Sequence, residues 1–205
     1  MYGLPPSTII NRPLYKKVIF EKFNLKTAER DRFDADVSKM ALVAYVSPKK
    51  IPALGEGKEV VEFYVLQVLL KHREYDDKNI LLLDKLIPQK MVFALQYDGE
   101  TQFCVFHTRL LQSEWMRSED ALIILKGLTL DDAWNNIVAS IGRLDVTAEE
   151  SFEKQILQRE ERAKLLQQIE SLEKRCRTEK QNRKKFELHQ HIIRLKDLMR
   201  GLDVT

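Results

Sequence analysis

The chain has 205 residues, of which 34 are Lys or Arg, 31 are Asp or Glu and two are Cys. This length suits one ordinary domain with an appendage, or two small domains. Two cysteines cannot form a disulfide framework, and no apolar run approaches the ~20 residues that a spanning helix needs. The composition argues against small disulfide-rich secreted scaffolds, membrane-spanning proteins and collagen-like chains. We therefore expect a cytoplasmic protein with no membrane partner.

The first forty residues are predicted to form an extended arm followed by helices. Three prolines fall in residues 1–15 and disfavour helix, so this stretch is interpreted as the arm. Residues 14–40 are predicted to be helical, with a short segment over residues 16–23 and with Asn24 or Thr27 as the N-cap of the next segment. Apolar residues at helical spacing would face the core from this region. They are Phe33, Val37, Met40 and Ala41.

The middle of the chain is predicted to contain a small mixed sheet. Residues 42–46 form a short apolar run rich in residues that favour strands. Residues 60–70 give the strongest strand pattern, and their nearly continuous apolar character indicates burial on both faces. Residues 91–97 and 101–107 flank Asp98-Gly99, which is the pattern of a tight β-hairpin.

Two helices and one ambiguous segment complete this part of the chain. Asp76-Asp77 offers an N-cap for a helix that ends before Pro88. Residues 122–125 fit either an edge strand or the start of a helix. Thr129 is predicted to cap a helix over residues 130–144, where apolar residues recur at helical spacing.

The amino-acid composition of the chain changes after Glu149. Residues 152–200 contain neither Gly nor Pro, which strongly favours helix. Apolar residues here follow coiled-coil spacing in two series, expected to form helix–helix seams. They are Leu165, Ile169, Leu172 and Cys176, then Leu188, Ile192, Leu195 and Met199. Because the two series are out of phase, either a stutter offsets one long helix or the chain folds back as a hairpin near residues 178–185.

These patterns together predict an α+β fold. A globular domain over residues 1–148 would contain the small mixed sheet with packed helices. Residues 149–205 would form a long helical tail, either a coiled coil or a helical hairpin.

The net charge is divided unevenly between the two predicted parts. Residues 1–150 carry 20 bases and 22 acids (−2), whereas residues 151–205 carry 14 bases and nine acids (+5). Residues 174–185 hold one acid, Glu179, and seven bases. The bases are Lys174, Arg175, Arg177, Lys180, Arg183, Lys184 and Lys185. Such a block attracts phosphate, anionic lipid or an acidic protein face, although it is also typical of an ordinary solvated helix surface.

The sequence has no motif that indicates a catalytic, cofactor or metal site. It lacks the phosphate-binding patterns GxxxxGK[ST] and GxGxxG and the nucleophile pattern GxSxG. His189 and His191 are two residues apart, and a metal-binding pair on a helix needs four-residue spacing. Cys104 is predicted to be a packed thiol within a strand. We therefore expect no catalytic residue, no cofactor and no metal.

A metal-dependent nuclease is the enzyme class that remains as an alternative to a non-catalytic protein. Such a site needs carboxylates and a lysine close together on adjacent strands. Glu62 and Lys71 lie at opposite ends of one predicted strand, roughly 30 Å apart at strand rise. Asp84 falls on the following helix, and Leu69 stands two residues before Lys71, where a carboxylate is needed.

Short stretches in a fixed order make the chain resemble the bacterial family catalogued as domain of unknown function 4391. They are Gly3-Leu4-Pro5, Asn11-Arg12, Ser47-Pro48, Phe63–Lys71, Asp84-Lys85-Leu86-Ile87-Pro88, Gly127-Leu128-Thr129-Leu130-Asp131, Glu179-Lys180-Gln181-Asn182-Arg183 and Glu187-Leu188. The resemblance spans almost the whole chain, but it supplies no activity. It implies an accessory role beside helicases and DNA methyltransferases of restriction-like defence systems. Gln67 and Leu69 depart from the more acidic strand expected in relatives.

The sequence is compatible with three functions. The first is a non-catalytic accessory or adaptor protein that binds a helicase or methyltransferase subunit and touches DNA backbone non-specifically through its basic helical tail. The second is a degenerate or cryptic metal-dependent nuclease. The third is a structural module that self-associates through the tail.

Overall fold

The computed structural model describes residues 1–147 and 150–202. The chain divides into two compact units, Met1–Val146 and Thr147–Thr205. The first unit is an α+β fold built on a mixed sheet, and the second contains a pair of helices. The predicted fold class is therefore confirmed. None of the helices among the described residues is long and apolar enough to cross a bilayer.

The first unit is built on one seven-stranded sheet. Its strands are β1 (Ile9–Leu14), β2 (Val37–Val46), β3 (Phe63–Leu70), β4 (Lys90–Tyr97), β5 (Glu100–Phe106), β6 (Leu110–Gln112) and β7 (Met116–Arg117). Their order is β1-β2-β3-β4-β5-β6, and β7 also pairs with β5. The helices of this unit are α1 (Lys16–Lys22), α2 (Thr27–Asp36), α3 (Asp77–Leu86) and α4 (Leu130–Gly142). The pair β3–β4 is parallel, because α3 carries the chain back across the sheet between them.

The apolar core of this unit uses both faces of the sheet. On one face, Leu66 of β3 and Phe93 of β4 are neighbours and are fully buried together with Phe33 of α2. Side chains alternate between faces along a strand, so Phe63 points to the opposite face. There its ring lies 5.5 Å from the ring of Trp134 of α4, between centroids. Burial on both faces explains why the sequence of β3 is almost continuously apolar.

The prediction of helical structure over residues 14–40 is wrong in its last part. Helix α2 ends at Asp36, and the backbone of Val37 is already extended (φ −95°, ψ 127°). Val37 and Met40 pair with Leu70 and Val68 of β3. These apolar residues also fit a helical period. The pairing with a strand some thirty residues later decided their conformation, and local spacing cannot show that pairing.

Three smaller expectations also need correction. The arm over residues 1–15 contains a 3₁₀ turn (Pro6–Thr8) and strand β1, because its backbone pairs with β2. Neither Asn24 nor Thr27 is the N-cap of α2, because the helix begins at Thr27 and Lys26 holds the N-cap position. Residues 122–125 form neither a strand nor a helix, and the N–H of Ile123 donates to the carbonyl of Tyr2 (2.9 Å).

The predictions that rest on caps and on the tight turn are confirmed. The Asp76 carboxylate accepts from the backbone N–H of Lys78 (2.9 Å) and caps α3. The hydroxyl of Thr129 accepts from the N–H of Asp132 (3.2 Å) and caps α4. Asp98-Gly99 joins β4 to β5 with positive φ at both residues (44° and 76°), as a two-residue hairpin turn requires.

Candidate nucleic-acid interface

The second unit contains two helices, α5 (Phe152–Thr178) and α6 (Asn182–Leu202). Helix α5 ends where Glu179 becomes extended and its N–H donates to the carbonyl of Arg175 (3.0 Å). Helix α6 begins with the bond from the N–H of Lys185 to the carbonyl of Gln181 (2.9 Å). Residues 179–181 thus form a short turn, and the chain folds back as a helical hairpin. The alternative of one long helix with a stutter is wrong.

The two apolar series of the tail meet between these helices. Ile169 of α5 is buried against Ile192 and Leu195 of α6. Leu165, Leu172, Cys176 and Met199 are partly buried around this cluster. Leu188 is half-buried nearer the turn. Two series that are out of phase on one straight helix can face each other once the chain reverses.

An ion pair between the helices accompanies this packing. The ammonium of Lys196 lies 2.8 Å from the carboxylate of Glu173. The hydrogen bond and the positive charge of Lys196 lower the pKa of Glu173. Both side chains are partly exposed, so we expect the pair to fix the register of the helices more than to stabilise them.

The seven bases predicted from the sequence gather at the closed end of the hairpin, and we call them the tip cluster. Lys174, Arg175 and Arg177 lie in the last turns of α5, Lys180 lies in the turn, and Arg183, Lys184 and Lys185 lie in the first turn of α6. All seven side chains are exposed. At 1.5 Å per helical residue, each lies within roughly 6 Å of the turn along its own helix.

Acidic residues neutralise little of this charge. Arg183 is the one member of the tip cluster with an ion pair among the described residues, where its Nε lies 3.2 Å from Glu187. The carboxylate of Glu179 accepts from the N–H of Gln181 (2.9 Å). That hydrogen bond, with the charges of Lys184 and Arg175 as weaker causes, lowers the pKa of Glu179. Glu179 therefore remains charged, and the block over residues 174–185 keeps its net charge of +6.

Helix dipoles divide the tip cluster into two groups. Lys174, Arg175 and Arg177 lie at the C-terminal end of α5, where cations are favourable. Residues 183–185 lie at the N-terminal end of α6, where cations are unfavourable, and the first turn of α6 has no acidic residue to offset them. Helix stability therefore explains the bases of α5 but not those of α6.

Two of the three side chains that the nuclease alternative needs, Glu62 and Lys71, are hydrogen-bonded to other groups. Glu62 accepts hydrogen bonds from the hydroxyls of Tyr45 (2.7 Å) and Tyr64 (3.2 Å). The ammonium of Lys71 donates to the backbone carbonyl of Asp34. Asp84 lies on α3, where burial raises its pKa. Among the described residues, no group of three or more His, Cys, Asp or Glu side chains is placed to hold a metal ion.

The packed thiol expected at Cys104 is found in the core. Cys104 lies on β5, fully buried, with its sulfur 3.6 Å from the hydroxyl of Tyr75. Burial raises the pKa of this thiol to about 12, so it is protonated at neutral pH and a poor nucleophile. His189 and His191 are exposed on α6.

One concave surface of the first unit was not anticipated from the sequence. A cavity of about 240 Å³ lies beside α4, with an apolar lining that includes Phe103, Leu122 and Ile137. Asn136 on its rim already donates to the carbonyls of Lys126 (3.1 Å) and Asp132 (2.9 Å). Its lining comes from segments far apart in the chain, so no sequence pattern could have indicated it.

The stretch from Gly127 to Asp131 has a structural explanation. The Asp131 carboxylate accepts backbone N–H groups of Lys58 (2.6 Å), Glu59 (3.2 Å) and Val60 (2.8 Å). Gly127 has φ +124°, and a Cβ there would lie 2.2 Å from the Cβ of Asp132. This stretch therefore fixes a loop to the start of α4.

Comparison with known proteins identifies a family but no function. No curated protein and no solved structure matches the chain. The model of the family described as Domain of unknown function (DUF4391) matches residues 2–198, which include both the sheet and the helical hairpin. The chain therefore belongs to the DUF4391 family.

Proposed function

We propose that this protein is a non-catalytic accessory protein whose tip cluster binds the sugar-phosphate backbone of nucleic acid. The observation that carries the proposal is the placement of Arg183, Lys184 and Lys185 at the positive end of α6. Cations at a helix N-terminus are unfavourable to the helix dipole, and Arg183 alone of the three has an ion pair among the described residues, so we expect these bases to lower the stability of the fold. Residues that cost stability without a structural role are characteristic of functional surfaces.

Backbone phosphates suit this surface better than a single small anion does. The seven bases lie on two helix ends and a turn, so they can contact several phosphates along a strand. Such contacts position a protein on nucleic acid without reading its sequence. The proposed binding is accordingly non-specific and strongly dependent on salt.

Two triple variants of the full chain test this proposal. In the first, Arg183, Lys184 and Lys185 are replaced by Gln. In the second, Lys174, Arg175 and Arg177 are replaced by Gln. Binding of a labelled DNA duplex is measured by fluorescence anisotropy at several salt concentrations. Both variants should bind more weakly, and the slope of log K against log salt should fall by roughly two to three units, near 0.9 per lost phosphate contact.

The two triple variants should differ in their unfolding temperatures. The α6 variant should unfold at the wild-type temperature or above it, because unfavourable charges are removed from a helix N-terminus. The α5 variant should unfold at a lower temperature, because it loses favourable charges at a C-terminus. The charge control replaces Lys164, Arg194 and Arg200, which lie on the same helices away from the turn. If this control weakens DNA binding as much as the α6 variant does, the tip cluster is not the binding surface.

A protein partner is the second part of the proposal. The family resemblance supports a helicase or DNA methyltransferase subunit as that partner. Co-purification of the tagged chain with such subunits, with and without nuclease digestion, tests it. Retention that survives digestion supports direct protein contact. If no such subunit is retained under either condition, the adaptor role is rejected.

A further inference from the structure

One aromatic side chain lies next to the tip cluster and takes no part in the packing between the two helices. Phe186 follows Lys185 directly in the first turns of α6 and is 64% exposed. It does not belong to the apolar cluster between the helices. No contact between aromatic rings and no cation–π contact involves Phe186 among the described residues.

The position of Phe186 is more informative than its exposure. Single exposed apolar residues are common on proteins and need no explanation. Phe186, however, lies three residues after Arg183, so the two side chains are neighbours on one face of α6. This face presents a flat ring near a guanidinium, directly after the block of residues 174–185 with its net charge of +6.

We propose that Phe186 is a stacking platform for an unpaired base, and that the hairpin tip prefers single-stranded nucleic acid to duplex. This inference rests on the proposed binding of phosphate backbone. Unpaired bases expose both faces to an aromatic ring, whereas bases in a duplex are stacked on one another. Cations that follow the backbone, together with an exposed aromatic ring, are the recurring elements of single-strand binding surfaces.

An anionic membrane is the competing occupant, and α6 fits it less well. Helices that lie in a membrane interface present a broad apolar face to the lipid. The apolar face of α6 is occupied by α5, through Ile192 and Leu195. The next exposed apolar residue on the face of Phe186 is Ile193, about 10 Å along the helix.

The test compares wild type with Phe186→Ala and Phe186→Trp on three labelled probes of equal length. The probes are a single strand of thymidines, an abasic strand with the same phosphates, and a DNA duplex. Phe186→Ala should weaken binding to the thymidine strand by roughly five-fold or more. Its binding to the abasic strand and to the duplex should not change. Phe186→Trp should bind the thymidine strand at least as well as wild type.

Leu198→Ala is the matched control. Leu198 is a similarly exposed apolar residue of α6 (61%), about 18 Å beyond Phe186 along the helix. This variant should bind all three probes as wild type does. The fluorescence of Phe186→Trp, after subtraction of the wild-type signal from Trp115 and Trp134, should be quenched by the thymidine strand.

The possible outcomes separate this inference from the proposed function. Equal binding of Phe186→Ala and wild type to the thymidine strand overturns the stacking role and leaves backbone binding intact. Absence of binding to every probe by wild type overturns both. Vesicles of anionic phospholipid are a further probe. If they shift the emission of Phe186→Trp to the blue, and the thymidine strand leaves it unchanged, the hairpin tip binds membranes and the inference is wrong.

Discussion

Asp131 links two distant parts of the first unit through one side chain. Its carboxylate accepts backbone N–H groups from three consecutive residues, 58–60. These hydrogen bonds lower the pKa of Asp131, and the bond from the N–H of Val60 has the largest effect. A carboxylate with a lowered pKa in the folded state stabilises the fold at pH values above its unfolded pKa, which is about 3.9. The stabilisation disappears as the pH falls through the folded pKa.

We therefore expect Asp131→Asn to lower the melting temperature at pH 7. An amide has no charge, and only its carbonyl oxygen can accept these N–H groups. The difference from wild type should shrink as the pH is lowered from 5 towards 3. Thermal unfolding followed by circular dichroism across this range measures it. Asp31→Asn, at an exposed position on α2, should show no such difference. A pH-independent difference would contradict the role of charge at Asp131.

At the scale of elements, the helical hairpin depends on a small apolar cluster. Ile192 is 6% exposed within that cluster, whereas the adjacent Ile193 is 39% exposed. Neighbouring residues on a helix point about 100° apart, so these two isoleucines make a natural pair for comparison. The same chemical change can be made inside and outside the contact between the helices.

Ile192→Ala should destabilise the hairpin by about 2 kcal/mol, at the low end for a large-to-small change because this core is small. Ile193→Ala should change its stability by less than about 0.5 kcal/mol. Hydrogen exchange of amides in α5 and α6 measures both effects. Equal effects of the two substitutions would show that α5 and α6 do not pack in solution as described.

At the scale of the whole molecule, the two units differ in charge and in the size of their cores. The basic excess of the chain lies in the second unit, so its total of +3 hides a concentrated cationic surface. The first unit buries a cluster that includes Phe33, Leu66 and Phe93 on one face of its sheet alone. Among the described residues, the cluster of the hairpin has three buried members. The element proposed to bind nucleic acid is therefore the one with the smaller core.

The unit with the smaller core should open locally more often than the unit with the larger core. We expect amides in the centre of β3 and β4 to exchange only at rates near global unfolding, because both strands are buried within the sheet. Amides of α5 and α6 should exchange at least about ten-fold faster. Native-state hydrogen exchange with mass spectrometry measures both sets in one experiment. Protection of the hairpin equal to that of β3 would contradict this expectation.

Local chemistry by itself determined several features of this protein. The caps at Asp76 and Thr129 and the turn at Asp98-Gly99 depend on residues within four positions of one another, so the sequence was sufficient to predict them. The basic block is also local, because seven of its twelve residues are Lys or Arg. The charge of the candidate interface therefore follows from composition alone.

Tertiary structure alone decided the features that depend on distant partners. The stretch from Val37 to Ala41 became a strand because β3 pairs with it. The contact of Asp131 with the backbone of Lys58 joins residues 73 positions apart. The tail became a hairpin because its two apolar series can bury each other only after the chain reverses. The physical reason is common to all three: spacing shows which side chains can share a face, but burial and pairing depend on what that face meets.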